Sequence, residues 1–251
     1  MAYEMRSNNP LFNTATFQDA GAYDAAPANV MTVQGTALKA LALSVLVFTA
    51  AAWSWNQVLE GGISPGFIIG TAIGGAVVAF ITVMKPSIAG WTAPVYAVLE
   101  GLCLGAISVF FEKTRYPGIA IQAVGLTGGT LLIMLTLYAT RTIRVTEKLT
   151  GAIVAATGAL ALFYLLTMIL RLFSIQIPYI HSSGPIGIGF SLFVVGLAAF
   201  NLLLDFDAIE QGSNRGAPKN MEWYAAFGLL VTLVWLYIEI LNLLRKLSDR
   251  R

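Results

Sequence analysis

Seven apolar stretches, each long enough to cross a bilayer, run through this chain at 36–56, 66–84, 93–111, 118–140, 150–172, 185–209 and 222–244. A helix needs about 20 residues to cross the hydrocarbon, so the pattern excludes a soluble globule and a single-anchor protein alike. Composition agrees. Of 251 residues, 57% are apolar and 11% charged, against roughly 45–50% and about 25% in soluble domains, and the mean hydropathy is +0.75. Backbone groups cannot go unpaired in lipid, and continuous runs such as 41–48 and 229–238 do not alternate as barrel strands must. The expected fold is an all-α integral membrane protein with seven transmembrane helices.

Residues 1–35 are rich in Asn, Ala, Thr and Gly, carry Pro10 and Pro27 and show no helical apolar period; they read as a mobile polar tail. The seven-helix domain is then 36–247, followed by a short basic tail at 248–251. The first apolar run lacks the basic start of a signal peptide, and none is expected. With the N-terminus inside, Arg6, Lys39, Lys85, Arg141, Arg144, Lys148, Arg215 and Lys219 lie on the inner side and only Lys113, Arg115 and Arg171 on the outer. That asymmetry favours a cytoplasmic N-terminus. The C-terminal Arg245, Lys246, Arg250 and Arg251 would then be outside and weaken it. Gly66, Gly70 and Gly74, and Gly101 and Gly105, repeat at four-residue spacing, which suits close helix packing.

Several functions are excluded by inventory. A net charge of +2 with no Lys/Arg stripe gives no nucleic-acid surface. One cysteine, Cys103, and one histidine, His181, cannot build a zinc centre. No nucleophile–base constellation stands out, so no enzyme and no resident cofactor are expected.

The scarce charges are the informative residues. Of thirteen acids, nine fall in the tail, loops or span ends; Glu100, Asp205, Asp207 and Glu239 fall within spans. A carboxylate at mid-membrane costs roughly 2.5–3.5 kcal/mol on insertion scales and must face protein or water, which makes intramembrane acids functional candidates. Glu100 lies about 10 Å deep if its span begins near Ala93, and is a candidate for an ion pathway. Asp205 and Asp207 are roughly 200° apart around a helix, so only one can point inward. Lys85 closes the second span and is either a snorkelling end or a partner for an acid. Two carboxylates close together in a poorly hydrated place share a proton, and carboxylate oxygens also suit calcium. Chemistry alone points to handling of protons or cations, without choosing between channel, exchanger and sensor.

The run Leu-Asp-Phe-Asp-Ala-Ile-Glu-Gln at 204–211, followed after an inner loop by Trp-Leu-Tyr-Ile-Glu-Ile-Leu-Asn-Leu-Leu at 235–244, resembles the Bax inhibitor family of seven-helix membrane proteins. Ala-Val-Leu-Glu-Gly-Leu-Cys-Leu-Gly-Ala-Ile-Ser at 97–108 is similar to the family's third helix. Arg-Ser-Asn-Asn-Pro-Leu-Phe-Asn at 6–13 resembles the start of its bacterial, actinobacterial-type members.

The resemblance implies six helices packed around the seventh and a pH-sensitive calcium leak in a bacterial plasma membrane. It places Asp207 and Glu239 as the acids of the sixth and seventh helices that respond to protons and as the candidate calcium ligands, and Lys85 as the latch cation. Asp205 is the alternative inward acid. Two departures from the family pattern matter: Glu replaces Asp at 239, and the stretch from 207 to 239 is longer. A straight helix begun at Glu222 would carry Glu239 about 25 Å along. A break at Gly228, with 218–227 lying along the membrane interface under Trp223 and Tyr224, would shorten that path to about 17 Å. The rival expectations are a non-conducting stress regulator, binding a membrane protease or another integral partner through 1–35 and 214–220, and a proton-coupled transporter.

Overall fold

The computed structural model describes residues 29–62, 64–114, 116–173 and 183–250. Seven α-helices account for nearly all of them: α1 (Val33–Leu59), α2 (Pro65–Met84), α3 (Ala89–Thr114), α4 (Ile119–Ala139), α5 (Glu147–Leu172), α6 (Pro185–Asn214) and α7 (Met221–Ser248). Each is long and apolar enough to cross a membrane. Their outward faces carry large apolar side chains bare to the surroundings, among them Leu38, Leu41, Ile69, Phe80, Ile121 and Leu162. Such surfaces are intolerable in water and ordinary in lipid.

The helix ends follow from local chemistry. Thr32 caps α1, its hydroxyl accepting from the Gly35 amide at 2.9 Å. α1 closes on Gly61 and α6 on Gly216, both at positive φ (77° and 67°). In each case the next amide reaches back to a carbonyl five residues earlier, Gly62 to Gln57 and Ala217 to Gly212. Glycine adopts this left-handed turn without steric cost. Pro86, which cannot continue a helix, ends α2 at Lys85 and opens a single 3-10 turn before α3.

The described residues form two compact units: one from the residues up to Ala120 with Asp205–Val234, the other from Ile121–Leu204 with Trp235 onward. In the first unit α3 is the packing hub. Gly101 and Gly105 lie directly on the backbone of Val47 and Ala51 in α1, and a Cβ at either would overlap those carbonyls. The offset is the same for both pairs, so the two helices run parallel, and Ser54 ties them by donating to the Leu102 carbonyl at 2.7 Å. α2 packs antiparallel: Thr82 donates to Thr92 at 2.8 Å near one end, while Cys103 meets the Ile68 carbonyl at 3.9 Å near the other. Gly74 sits against Leu99, whereas a Cβ on Gly70 would meet nothing. In the second unit Ile153 and Leu160 of α5 pack with Val194, Leu197 and Leu204 of α6, and Asn201 donates to Thr157 at 2.9 Å.

Two boundaries differ from expectation. The tail expected to reach residue 35 ends sooner: Met31 is buried, Val30 bridges Pro218, and Met31 and Lys219 exchange backbone bonds with Ala217 and Asn29. Residues 1–28 lie outside the described residues. The break expected at Gly228 is absent. α7 runs unbroken from Met221, and Tyr224, Ala225, Ala226 and Phe227 are buried rather than laid on a membrane surface. The reason is packing: Phe227 meets Tyr96 of α3 edge to face, with ring centroids 5.1 Å apart.

The backbone contact at Gly105 sets a measurable cost. Gly105→Ala gains about 1 kcal/mol of helix propensity, but its methyl must displace backbone, and overpacking costs about 1–3 kcal/mol or more. Thermal unfolding in detergent is expected to show a net loss for Gly105→Ala and none for Gly70→Ala.

Candidate functional site

An ionised side chain inside a span must be met by donors or acceptors from neighbouring helices. Five acids and three lysines of this chain meet that demand in different degrees, from fully to not at all.

In the first unit Glu222, at the start of α7, is the most completely met. It is 1% exposed. One oxygen accepts from the Thr32 amide at 2.9 Å and the Thr32 hydroxyl at 3.0 Å; the other is ion-paired with Lys39 of α1. Gly35 leaves the space for the carboxylate, since a Cβ there would overlap it. Lys39 also lies 5.5 Å over the ring of Trp223, which rests on Gly90 of α3. This clasp joins the beginnings of α1 and α7. Sequence reasoning missed it because Glu222 and Lys39 both sit at span ends, where a charge is unremarkable; the Thr32–Gly35 cap signal was the one clue.

Asp205 and Asp207 separate as a helix of 100° per residue requires. Asp205 is 4% exposed. It reaches Thr232 of α7, and its Oδ2 has no hydrogen-bond partner among the described residues. Asp207 is half-buried and takes Gln211 Nε2 at 2.5 Å, one turn along α6, with Arg215 donating to Gln211 at 2.9 Å. Of the two acids Asp205 is the more deeply buried, where the resemblance implied Asp207 and left Asp205 as the alternative. Lys85 is exposed at the end of α2 and pairs with no acid among the described residues, so the latch expected from it is not formed. The ion pair of this unit belongs to Lys39. Glu100 is half-buried on α3, its carboxylate 3.0 Å from where a Cβ of Gly75 would stand, on the same face as Tyr96 and Cys103.

In the second unit Glu239 of α7 is 6% exposed. Its Oε1 accepts from the Tyr164 hydroxyl of α5 at 3.0 Å, and Trp235 also bonds it. Tyr164 is steadied by Phe163 and Phe190. Two turns further along α7, Lys246 is 5% exposed and donates to the Gly187 carbonyl at 3.0 Å and to Ser191 Oγ at 2.8 Å. A lysine expected on the outer side, at the end of the seven-helix domain, is thus buried. Among the described residues no group of three or more His, Cys, Asp or Glu stands together to hold a metal ion. His181 lies outside the described residues, and Cys103 is buried as packing.

Seven spanning helices with carboxyl groups buried between them define an all-helical, multi-pass membrane protein that lives in a lipid bilayer. The chain belongs to the Bax inhibitor 1 like family, whose model matches residues 9–249, nearly its whole length. Comparison with curated proteins gives no match.

Removing one partner of a buried ion pair costs about 3–5 kcal/mol, because the other charge stays buried and unmet. Glu222→Ala is expected to lose stability in that range in detergent, and Lys39→Met with Glu222→Leu to lose less than the two singles together. Melting of Glu222→Ala unchanged from the parent would show the clasp to be energetically idle.

Proposed function

We propose that this protein is a pH-sensitive cation leak, with calcium as the transported ion, gated by protonation of its intramembrane carboxyl groups. The observation that carries the reading is Asp205: a carboxyl almost sealed from its surroundings, held by one hydroxyl and with one oxygen unmet among the described residues. A proton or a hard cation is what such an oxygen receives. Family membership supports the same reading, and Glu239, held by neutral partners, is the matching acid of α7. Asp207 stands one step behind, its charge shared with the Gln211–Arg215 ladder. Glu100 lines the pathway on α3. Lys85 remains a span-end lysine.

Gating follows from the difference between the charged and neutral acid. An ionised carboxylate holds the polar groups of a neighbouring helix to itself. The protonated form holds them less strongly, so protonation shifts the closed–open equilibrium. Calcium is cargo in this reading, no cofactor resides in the protein, and no reaction is catalysed. The protein sits in a bacterial plasma membrane with its N-terminus on the cytoplasmic side.

One observation favours a second reading, a non-conducting regulator that binds an integral partner. Residues 29–31, within the first segment expected to dock, pair with the loop at 217–219, so parts of the two expected docking segments lie side by side.

Calcium flux into liposomes containing the purified protein separates the readings. One titrating proton changes flux by at most about tenfold per pH unit; Asp205→Asn and Glu239→Gln are each expected to flatten that dependence, with a smaller effect for Asp207→Asn. Flux and pH profile unchanged in all three variants would sink the proposal. No flux at all, with a partner co-purifying through the N-terminal segment, would favour the regulator. Saturable solute uptake driven by a pH gradient would indicate a transporter.

A further inference from the structure

Lys246 is the one buried cation among the described residues. Burying an ammonium costs several kcal/mol unless its protons are met, and the fold meets them in a particular way. The ligands are oxygens one turn apart in the beginning of α6, the Gly187 carbonyl at 3.0 Å and Ser191 Oγ at 2.8 Å. Ser191 is itself 2% exposed. Glu239 lies seven residues back on α7, hence on the same face, and its charge acts on Lys246 along the helix. Arg245, the next residue, sets a like charge against this ammonium.

A backbone carbonyl, a hydroxyl and a carboxylate within electrostatic reach are the donors that hard cations take. An ammonium is close in size to a dehydrated potassium ion and presents the same single charge to such oxygens. Anchoring α7 to α6 needs no charge in itself, but an apolar side chain in this place would leave the Gly187 carbonyl and Ser191 Oγ without the ammonium's hydrogen bonds. The charge must therefore answer to the oxygens.

We propose that Gly187, Ser191 and Glu239 outline a monovalent-cation site whose resident occupant is the chain's own Lys246 ammonium, and that a free sodium or potassium ion takes its place when the ammonium is removed. Binding alone reads the site. Only its further use, as a tethered plug that a permeating ion must displace, rests on the leak proposed above.

The test uses the full chain in detergent, comparing potassium, sodium and N-methylglucamine chlorides at matched ionic strength. The parent's melting temperature is expected to be the same in all three, because its site is filled. Lys246→Met is expected to melt lowest in N-methylglucamine and to gain about 5–10 °C at a hundredfold excess of potassium or sodium over Kd. Adding Ser191→Ala to Lys246→Met should abolish that gain. A folded, monodisperse Lys246→Met that melts alike in all three salts overturns the proposal, as does a gain that survives Ser191→Ala. If Lys246→Met does not fold, Lys246→Gln is measured the same way. If neither folds, rescue during purification by potassium or sodium but not by N-methylglucamine supports the site, and absence of rescue overturns it. None of these outcomes depends on whether the protein conducts calcium.

Discussion

A charge inside an apolar helix bundle has to be answered by another part of the protein, and the degree to which it is answered sorts the charged groups of this chain. Glu222 receives two hydrogen bonds from Thr32 and an ion pair from Lys39, which satisfies both oxygens. Such a group is held in one state and contributes rigidity. Glu239 receives neutral donors from Tyr164 and Trp235. Asp205 receives one hydroxyl and keeps an open oxygen. Along that series fewer fixed donors hold the carboxylate, and this is the order on which the proposed proton response relies.

The packing that creates these environments is itself backbone chemistry. Helices in lipid gain little from burying apolar side chains against one another, so close approach at small residues supplies dispersion contacts instead. Gly101 and Gly105 bring α3 onto α1 on one side. On the other side Gly74 and Gly75 receive Leu99 and Glu100, so the surface that packs α2 also accommodates an acid. Gly35 does the same for Glu222. In three places an absent side chain makes the room in which a functional or structural group lies.

Much of the fold was legible because its signals are one-dimensional. Seven apolar runs need only length and composition to be read, and the observed helices match the expected spans to within about five residues at each end, most of them longer and the fourth one residue shorter at both ends. The glycine pair at 101 and 105 also carried its meaning locally. The site was legible in kind and not in detail. That Asp205 or Asp207 must face inward follows from the helical period; which one does so depends on where α7 lies, and the sequence around them is apolar on every side. Lys39, Glu222 and Lys246 sit near span ends, where hydropathy treats every charge as a snorkelling one.

The amino-acid sequence by itself determined that this is a seven-span membrane protein of the Bax inhibitor 1 like family with acids inside its spans. Lipid demands long apolar helices, and a misplaced carboxylate is conspicuous within them. Only the tertiary structure decided that Asp205 is buried while Asp207 is shared with its own helix, that the ion pair belongs to Lys39 and Glu222 and not to Lys85, and that Lys246 points into the protein. The physical reason is that a partner is a matter of distance. The Lys39–Glu222 pair joins residues 183 positions apart, and no local pattern encodes a separation that helix packing alone closes.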